Sequence, residues 1–417
     1  MGKTIAEKIL SNHSGKDAFA GDIVIADIDF CMGQDGTSGI AIDSFNKMQA
    51  KSVFESQKIA MILDHSCPSP NEGVSAIHKK IREFAHKFKI NLYDIGCGVC
   101  HQLVPEQGYV VPGNLVIGAD SHTCTYGAIN AFSTGVGSTD FAAAMISGKL
   151  WFKVPETMKI TYKGDFAKGV YSKDLMLYTI GKIKADGATY MAMEFYGKVI
   201  ENMSVDARFT ISNMAIEAGG KAGLMEADKK TLDWVKKHSK LKPNPQTADK
   251  DAKYAKTLEF DVSKISPQIA KPHAVDNVAP IEEVAGTPVQ QGFIGTCTNG
   301  RMEDFEIAAK ILKGKKVKDG CRLVLAPASK TIFLELMKSG IAETLINAGG
   351  VFVTPGCGPC VGTHNGVPSD GENVISTANR NFLGRMGNRK AFIYLGSPAT
   401  VAASVIEGKI TDPRKHS

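Results

Sequence analysis

The stretch Gly292-Phe-Ile-Gly-Thr-Cys-Thr-Asn-Gly-Arg301 places Cys297 directly after a short apolar run. A second stretch, Gly350-Val-Phe-Val-Thr-Pro-Gly-Cys-Gly-Pro-Cys360, does the same for Cys357 and Cys360. Short apolar runs bounded by glycine are typical of buried strands, and α/β sheets bind ligands beyond the ends of their strands. The two stretches therefore predict an α/β fold that brings three thiols to the ends of its strands.

Cys297, Cys357 and Cys360 together suit an iron-sulfur cluster with one open iron. A 4Fe-4S cluster normally takes four thiolates, so a site with three leaves one iron free to bind water or substrate as a Lewis acid. Such a cluster would act as a catalyst and not as an electron carrier.

A zinc site is also open at this point. Two Cys-x-x-Cys pairs, Cys97 with Cys100 and Cys357 with Cys360, could form a four-thiolate site, although Cys297 would then have no role. Physical reasoning alone does not decide the roles of Cys97 and Cys100. The remaining cysteines are expected to be buried as small apolar residues: Cys31, Cys67, Cys124 and Cys321.

The N-terminal part of the chain alternates strand-like and helix-like patterns. Strands are predicted over Asp22–Phe30, Lys58–Leu63, Asn91–Ile95 and Asn114–Gly118. Over residues 74–88, apolar side chains recur every three or four residues with lysines on the other faces, which predicts an amphipathic helix. This alternation is typical of an α/β architecture.

Polar clusters follow three of these strands. They are Asp64-His65 after the second strand, Cys100-His101-Gln102 after the third and Asp120-Ser121-His122 after the fourth. A carboxylate can orient a neighbouring imidazole and tune its pKa, so a shared active site is predicted at the strand ends. The alternative is that Asp and His are simply common in turns.

Asn379, Arg380 and Arg385 lie close together in a loop-like stretch near Gly384. The planar fork of arginine suits bidentate binding of carboxylates, so this pair of guanidinium groups favours an acidic ligand. Two solvated surface arginines are the alternative.

The composition narrows the class of protein. At 417 residues the chain exceeds the roughly 250–300 residues at which one core stops growing, so two or three domains are expected. Nine unevenly spaced cysteines fit a reducing compartment, and no apolar run is long enough for a membrane helix or signal peptide. We therefore expect a soluble, cytoplasmic protein with no membrane partner.

Charge and local composition add two expectations. The net charge of +6 is dispersed along the chain, so nucleic-acid binding is not expected, and a mild positive field favours anionic substrates. The stretch Lys236–Lys256 is rich in Lys, Asp, Pro and Ala and is predicted to be an exposed connection.

Taken together, the motifs resemble the aconitase family, and the match spans nearly the whole chain in the right order. The stretches that carry it are Asp64-His65, Gly98-Val-Cys-His-Gln102, Gly118-Ala-Asp-Ser-His-Thr-Cys-Thr-Tyr-Gly127, Gly295-Thr-Cys-Thr-Asn-Gly300, the Cys357/Cys360 pair and Asn379-Arg-Asn-Phe-Leu-Gly-Arg385. The resemblance implies three α/β/α domains packed around an iron-sulfur cluster, without the family's fourth, swivel domain. The expected ranges are 1–157, 158–285 and 286–417, with the cluster cysteines in the third.

The resemblance also implies which residues form the site. One 4Fe-4S cluster per chain would be held by Cys297, Cys357 and Cys360 with one iron open, and Cys97 and Cys100 match no family ligand. The implied catalytic residues are Asp64, His65, His101, Asp120, His122 and Glu217. The implied substrate-binding residues are Gln34, Ser121, Asn213, Asn379, Arg380 and Arg385. Gln34 departs from the histidine that is usual here in the isopropylmalate-type members and is similar to aconitase itself.

The activity implied is that of a hydro-lyase, which dehydrates a small hydroxy di- or tricarboxylic acid and adds the water back. The length is similar to that of the large subunits of isopropylmalate dehydratases, which serve leucine biosynthesis, with homoaconitase and 2,3-dimethylmalate dehydratase as alternatives. The family's proton-abstracting serine lies in the fourth domain, so a small subunit is expected as partner in a heterodimer or heterotetramer. Two other classes stay open, a structural zinc protein and an RNA-binding regulator.

Overall fold

The computed structural model describes residues 2–416, in which strands and helices alternate along the chain. The strands are β1 (Ile23–Asp27), β2 (Phe30–Gln34), β3 (Ile59–Ile62), β4 (Asn91–Tyr93), β5 (Leu115–Gly118), β6 (Phe132–Gly135), β7 (Lys149–Lys153), β8 (Thr157–Lys163), β9 (Ala192–Tyr196), β10 (Ala222–Leu224), β11 (Lys256–Asp261), β12 (Gln268–Ala270), β13 (Val278–Pro280), β14 (Gln291–Gly295), β15 (Arg322–Ala326), β16 (Gly350–Phe352), β17 (Asn373–Ser376) and β18 (Phe392–Leu395).

The α-helices lie between these strands and pack on their faces. They are α1 (Ile5–Ser14), α2 (Asp35–Lys47), α3 (Glu72–Phe88), α4 (Cys100–Glu106), α5 (Ser138–Ser147), α6 (Ser172–Ile183), α7 (Lys198–Asn202), α8 (Val205–Asn213), α9 (Lys229–His238), α10 (Thr296–Asn299), α11 (Met302–Leu312), α12 (Lys330–Lys338), α13 (Ile341–Asn347), α14 (Gly358–Val361) and α15 (Pro398–Glu407). Over residues 2–416, no helix has the length and apolar character needed to cross a membrane.

The first sheet has five parallel strands in the order β4-β3-β2-β5-β6. Every residue of β2, β3 and β5 is buried, as expected of parallel strands covered on both faces. The helix predicted over residues 74–88 is α3, and its Phe84 and Phe88 pack against Phe45 of α2. The ends of β2, β3 and β5 meet at one edge, so the segments that follow them lie side by side.

Two sequence predictions for this region are wrong in detail. The single strand predicted over Asp22–Phe30 is two strands, because the chain leaves β1, which pairs antiparallel with β7, and enters the five-stranded sheet at Phe30. Apolar residues run through both strands, so the sequence pattern does not mark the break. The cluster that begins at Cys100 does not follow its strand directly, since β4 ends at Tyr93 and the cluster opens α4.

The second sheet has four parallel strands in the order β10-β9-β8-β11. Helix α6 contacts it through the hydrogen bond between Thr179 and Tyr162 of β8, and α8 through the Ser212 hydroxyl, which donates to the carbonyl of Gly223 in β10.

The chain between α9 and β11 contains no helix or strand, which confirms the exposed connection predicted within Lys236–Lys256. Hydrogen bonds fix this connection to the first part of the chain, for example from the Asn244 N–H to the carbonyl of Pro112 and between Gln246 and Asn130.

The third sheet has seven strands in the order β13-β12-β18-β17-β14-β15-β16. Its five strands from β18 to β16 are parallel, and β12 and β13 extend it in the antiparallel sense. The boundaries placed near residues 157 and 285 stay a prediction. Since β12 and β13 pair within this sheet, a second boundary before Gln268 would keep the sheet in one domain.

Gly127 lies where the first and second sheets approach one another. It belongs to a 3-10 segment over residues 121–129, and a Cβ atom at this position would lie 1.9 Å from the carbonyl oxygen of Gly223 in β10. Only a residue without a side chain allows this contact between two backbones.

We therefore expect Gly127→Ala to lower the free energy of unfolding by about 1–3 kcal/mol or more, because the methyl group forces the segment away from β10. Gly39→Ala is the control, since a Cβ atom at this half-buried position of α2 meets only the Ile77 side chain at 3.4 Å. Urea denaturation of both variants checks the expectation, and an unchanged Gly127→Ala chain would contradict the close packing of the two segments.

Candidate functional site

Asp64 joins the first sheet to the cysteine-bearing loops of the third. It lies two residues after the end of β3, and its side chain is fully buried. Its Oδ1 accepts a hydrogen bond from His65 Nδ1 at 2.7 Å. Its Oδ2 accepts the N–H of Cys100 at 2.7 Å, and its carbonyl oxygen accepts the N–H of Cys357, also at 2.7 Å. One residue therefore sets the positions of a histidine, the start of α4 and a cysteine loop.

Asp120 is the hub of the histidine cluster. Its Oδ1 accepts hydrogen bonds from His101 Nε2 and from the backbone N–H of His122, both at 2.8 Å. Its Oδ2 lies 3.6 Å from His65 Nε2 and 3.4 Å from Gln34 Nε2. Burial alone would raise the pKa of Asp120, but the attraction and hydrogen bonds of His101, His122 and His65 hold that pKa well below its usual value. Asp120 is therefore a carboxylate at neutral pH.

His65 and His101 differ in charge. Burial would lower the pKa of His65, but Asp64 and Asp120 on its two ring nitrogens raise it well above its usual value, so His65 carries a proton at neutral pH. Burial outweighs the attraction of Asp120 at His101 and lowers the pKa of that ring. His101 Nδ1 is buried without a hydrogen-bond partner among residues 2–416.

Glu217 links the histidine cluster to the arginine loop. This buried carboxylate lies 2.7 Å from His122 Nε2, and it accepts a hydrogen bond from Arg380 Nε at 3.0 Å. Arg380 also donates to the Ser121 hydroxyl at 3.1 Å. Burial would raise the pKa of Glu217, but His122 and Arg380 lower it.

Asn379 connects this network to the cysteine sulfurs. Its side chain lies 3.8 Å from the Sγ atoms of both Cys297 and Cys360, and its Nδ2 donates to Asn213 Oδ1 at 3.2 Å. Asn213 is fully buried and comes from α8 behind the second sheet. Segments next to all three sheets thus meet at the thiols: Asp64 from the first, Asn213 from the second and Asn379 from the third.

The three thiols are buried, and of the three only Cys360 has a lowered pKa: burial raises the pKa of Cys297 to about 11, and the hydrogen bond with Cys360 raises that of Cys357. Cys297, Cys357 and Cys360 are 3%, 6% and 1% exposed, and the guanidinium of Arg385 lies 2.9 Å from Cys360 Sγ. A hydrogen bond with Cys357 and the positive charge of Arg385 lower the pKa of Cys360 well below its usual value. A thiolate is the form of cysteine that binds metal.

The cysteines form no site for a single zinc ion among residues 2–416. Among residues 2–416, two groups place three metal-ligating side chains within 4.8 Å of one another, and neither contains a cysteine: His101, Asp120 and His122, and Asp35, Asp64 and His65. The four-cysteine zinc site built from Cys97 and Cys100 is therefore not assembled in the described chain. The cysteine ligands of an iron-sulfur cluster bind different iron atoms, so they need not lie as close together as the ligands of a single ion.

A search against protein-family models matches residues 7–287 and 282–408 to the aconitase family (aconitate hydratase). The chain belongs to the aconitase family. The match covers almost the whole chain, as the motifs predicted.

Curated aconitase-family relatives match over similar lengths. The chain is 50% identical to "3-isopropylmalate dehydratase large subunit 1" of Methanopyrus kandleri, with 100% of both chains covered. It is 51% identical to "3-isopropylmalate dehydratase large subunit 2" of Archaeoglobus fulgidus, again with 100% of both covered. It is also 51% identical to "Probable methanogen homoaconitase large subunit" of Methanosarcina mazei, over 94% of this chain and 100% of that one.

A solved structure supports the fold. Aconitase X of Thermococcus kodakaraensis, in its holo-form, superimposes with a TM-score of 0.54 at 14% identity, over 90% of this chain and 88% of that one. The aconitase-family architecture is therefore present, with α/β sheets of largely parallel strands.

Gln34, the residue that departs from the isopropylmalate-type pattern, has a structural role in this aconitase-family chain. It is the N-cap of α2, where its side-chain oxygen accepts the N–H of Gly36. Its amide nitrogen lies 3.4 Å from Asp120 Oδ2. The side chain therefore both starts the helix and contacts the histidine hub.

Sequence reasoning missed Asp35 and His78. Asp35 is 3% exposed, and its carboxylate accepts the backbone N–H groups of Asp64, His65 and Ser66 at 3.1, 2.7 and 2.9 Å. The ring of buried His78 lies 3.1 Å from the same carboxylate. Asp35 is adjacent to Gln34 in the sequence, but His78 is on α3, and nothing in its surroundings in the sequence indicates that it faces the site.

Arg301 was also missed as a supporting residue, although it ends the motif around Cys297. It is fully buried, and it donates to the carbonyl oxygens of Cys297 at 2.8 Å and Thr298 at 3.1 Å and to the side chain of Gln102 at 2.9 Å. Thr296, on the other side of Cys297, has a left-handed φ of 65°, which is a strained conformation for a β-branched residue. The cysteine loop is therefore held in place by buried contacts.

We expect Asp35→Asn to lower the free energy of unfolding by about 3 kcal/mol at pH 7, because it removes a buried charge that binds three N–H groups and His78. Burial alone would raise the pKa of Asp35, but His78, His65 and the backbone N–H groups lower it well below its usual range. The stabilisation is therefore present above the unfolded pKa of about 3.9 and is lost as the pH falls further.

Urea denaturation of both chains at pH 7 and pH 3 measures the effect, and the difference between wild type and variant should shrink at pH 3. Asp43→Asn is the matched control, since Asp43 is an exposed residue of the same helix that pairs with Lys80. Its effect should stay within about 0.5 kcal/mol. An equal, pH-independent loss in both variants would disprove the role of Asp35.

Proposed function

We propose that this chain is the cluster-bearing large subunit of a hydro-lyase of the 3-isopropylmalate dehydratase type. The observation that carries the proposal is the meeting of three buried cysteines, the carboxylate–histidine pairs and two arginines in one hydrogen-bonded network. The names of relatives that match over the full chain support the same activity. The substrate class is a small hydroxy acid with two or more carboxylates, and we expect the enzyme to work in a reducing compartment such as the cytoplasm.

In this proposal Cys297, Cys357 and Cys360 hold one 4Fe-4S cluster, and one iron has no cysteine ligand. When bound, the cluster supplies Lewis-acid chemistry at the substrate hydroxyl. The support within the chain is the donor set, which consists of three buried sulfurs, one of them kept as a thiolate beside Arg385.

His65 is the proposed proton donor to the leaving hydroxyl. It carries a proton at neutral pH because Asp64 and Asp120 lie on its two ring nitrogens, and its partly exposed side chain can reach a bound ligand. His101 is held in place by Asp120 and has a buried, unpaired ring nitrogen that a ligand or water could use. We assign the positioning of these rings to Asp64 and Asp120.

Arg380 and Arg385 are the proposed carboxylate-binding residues. Arg380 is partly exposed, and its charge is balanced by Glu217 until a substrate arrives, while Ser121 and Asn379 offer further polar contacts. An arginine fork binds a carboxylate through two parallel hydrogen bonds. Substrates with two carboxylates would therefore be oriented between the arginines and the histidines.

A separate small subunit is the proposed source of the base that removes the α-proton. Asp120 and Glu217 accept hydrogen bonds from histidine or arginine and have lowered pKa values, so both are weak bases. The relatives are named as large subunits, which supports a complex of two kinds of chain. A heterodimer or heterotetramer would satisfy this requirement.

Homoaconitase is the second candidate, because the Methanosarcina relative named for it is as similar as the dehydratase relatives. The two activities share the cluster and the polar network, and they differ in the substrate side chain. Assays with 3-isopropylmalate and with homocitrate, run side by side with the small subunit present, separate them.

We expect the anaerobically reconstituted chain to hold about four irons and four sulfides, and to show hydro-lyase activity only when its small subunit is added. Cys297→Ser should lose nearly all of both, because two cysteines cannot keep the cluster. Cys321→Ser is the control, since Cys321 lies outside the network and should leave the iron content unchanged. Iron, sulfide and zinc analysis with an absorption spectrum checks this, and one zinc per chain without sulfide would disprove the cluster.

We expect Arg380→Lys to lower kcat/KM by about 10-fold or more, because lysine cannot make the paired hydrogen bonds of a guanidinium. Arg389→Lys, on the exposed end of the same loop, should leave kcat/KM unchanged. Steady-state assays of the reconstituted two-subunit complex measure both variants. Equal activities for wild type and Arg380→Lys would remove Arg380 from the substrate site.

A further inference from the structure

Lys173 is a fully buried lysine near the cysteine loops, and no step proposed above uses it. It is the second residue of α6, and its ammonium group donates to the carbonyl oxygens of Thr377 at 3.0 Å and Ala378 at 2.6 Å. These two residues follow β17 and lead directly into Asn379. The side chain therefore reaches from α6 to the loop that contacts the thiols.

Among residues 2–416, no carboxylate lies within hydrogen-bond distance of this buried ammonium group. Its neighbour Asp174 is also buried, but the carboxylate of Asp174 accepts the N–H groups of Gln268 and Tyr171, each at 2.9 Å. Burial lowers the pKa of Lys173 to about 7, while Cys360, Glu217, Cys297 and Asp304 act in the opposite direction. Three of these four groups belong to the site, and the fourth, Asp304, lies on α11 and accepts the N–H of Arg301.

The loop that Lys173 holds also fixes the two cysteine segments. Thr377 accepts the N–H of Gly295 on its hydroxyl at 3.0 Å and donates its own N–H to the carbonyl of Phe293 at 3.0 Å. Both partners lie in β14, directly before Cys297. Asn379, two residues after Thr377, lies 3.8 Å from the sulfurs of Cys297 and Cys360.

A buried ammonium is costly, and an apolar side chain of similar volume is often as stable or more stable at such a position. A role in folding alone therefore does not explain a lysine here. A role toward an anionic group explains the lysine. A cluster bound by thiolates would bring negative charge close to Lys173, and backbone carbonyls cannot neutralise that charge.

We propose that Lys173 is a positioning residue for the cluster, which holds the 377–379 loop against the ligand sulfurs and supplies a buried positive charge that stabilises the bound, anionic cluster. This inference rests on the proposed function, because it requires the cluster to be present. It assigns to Lys173 no contact with substrate and no proton transfer.

The test uses Lys173→Met in the full-length, anaerobically reconstituted chain, with Lys182→Met as control. Lys182 is an exposed lysine on the last turn of the same helix, so it shares the helix but not the loop. Three quantities are measured: the rate of iron loss to a chelator, the midpoint potential of the cluster by EPR-monitored titration, and the unfolding temperature of the cluster-free chain.

We expect Lys173→Met to lose iron roughly 10-fold faster than wild type, in line with the loss of other supporting residues around metal sites. Its midpoint potential should move to a more negative value, since removing a positive charge disfavours reduction. The unfolding temperature of the cluster-free variant should be equal to or above that of wild type. Lys182→Met should match wild type in all three.

Iron loss and midpoint potential equal to wild type in Lys173→Met would overturn the inference, and so would an equal change in Lys182→Met. If Lys173→Met does not fold, Lys173→Gln, which keeps two N–H donors and removes the charge, takes its place with the same expected results. A wild-type chain that binds no cluster would instead overturn the proposed function, so the two failures are distinguishable.

Discussion

The three hydrogen bonds of Asp64 are the constraint on which the site depends. They join a histidine of the first sheet, the start of α4 and the loop of Cys357 through a single buried residue. The sheets are separate hydrogen-bonded units, so their relative placement rests on contacts of this kind between the loops at their ends. A shift at Asp64 would move the His65 ring and the cysteine loop together.

In the site, buried negatively charged side chains lie next to positively charged or histidine side chains. Asp120 lies among three histidines, Glu217 lies between His122 and Arg380, and Arg385 lies against the thiol of Cys360. In a medium of low polarity an unpaired charge is strongly unfavourable, so each charged group requires the next one. The same arrangement keeps His65 protonated and Asp120 ionised. The histidine therefore carries the proton, and the carboxylate supports it as a negative charge.

The second sheet supports the site from behind. Asn213 and Glu217 reach the thiols and the arginine loop from the end of α8 and the turn that follows it, and Lys173 reaches the same loop from α6. Backbone segments pack closely where the first and second sheets meet, at Gly127 against Gly223. Two loops of the third sheet pack equally closely at Gly362, where a Cβ atom would lie 2.0 Å from the Gly387 nitrogen. The contact at Gly362 fixes the loops of Cys360 and Arg385 in relation to each other.

The sequence by itself determined the fold class, the alternation of strands and helices, and the residue types that meet at the strand ends. Short apolar runs that end at Asp64, Asp120 and Cys297 carry this information locally, because a parallel sheet brings the ends of its strands to one edge. The roles given to the individual site residues and the domain boundaries remain predictions. The sequence pattern failed where an apolar run crosses from one sheet to another, as over Asp22–Phe30, since hydropathy does not record a change of partner.

Only the tertiary structure decided which ionisable residues support the site. His78 and Lys173 lie on helices, and Arg301 lies at the start of one. The residues next to them in the sequence do not indicate that their side chains support the site. Their burial and their partners, Asp35, the carbonyl of Cys297 and the carbonyls of Thr377 and Ala378, are distant in the sequence or lie on other elements. The charge states of His65 and His101 differ for the same reason, because a pKa depends on which groups surround a side chain in space and how far it is buried.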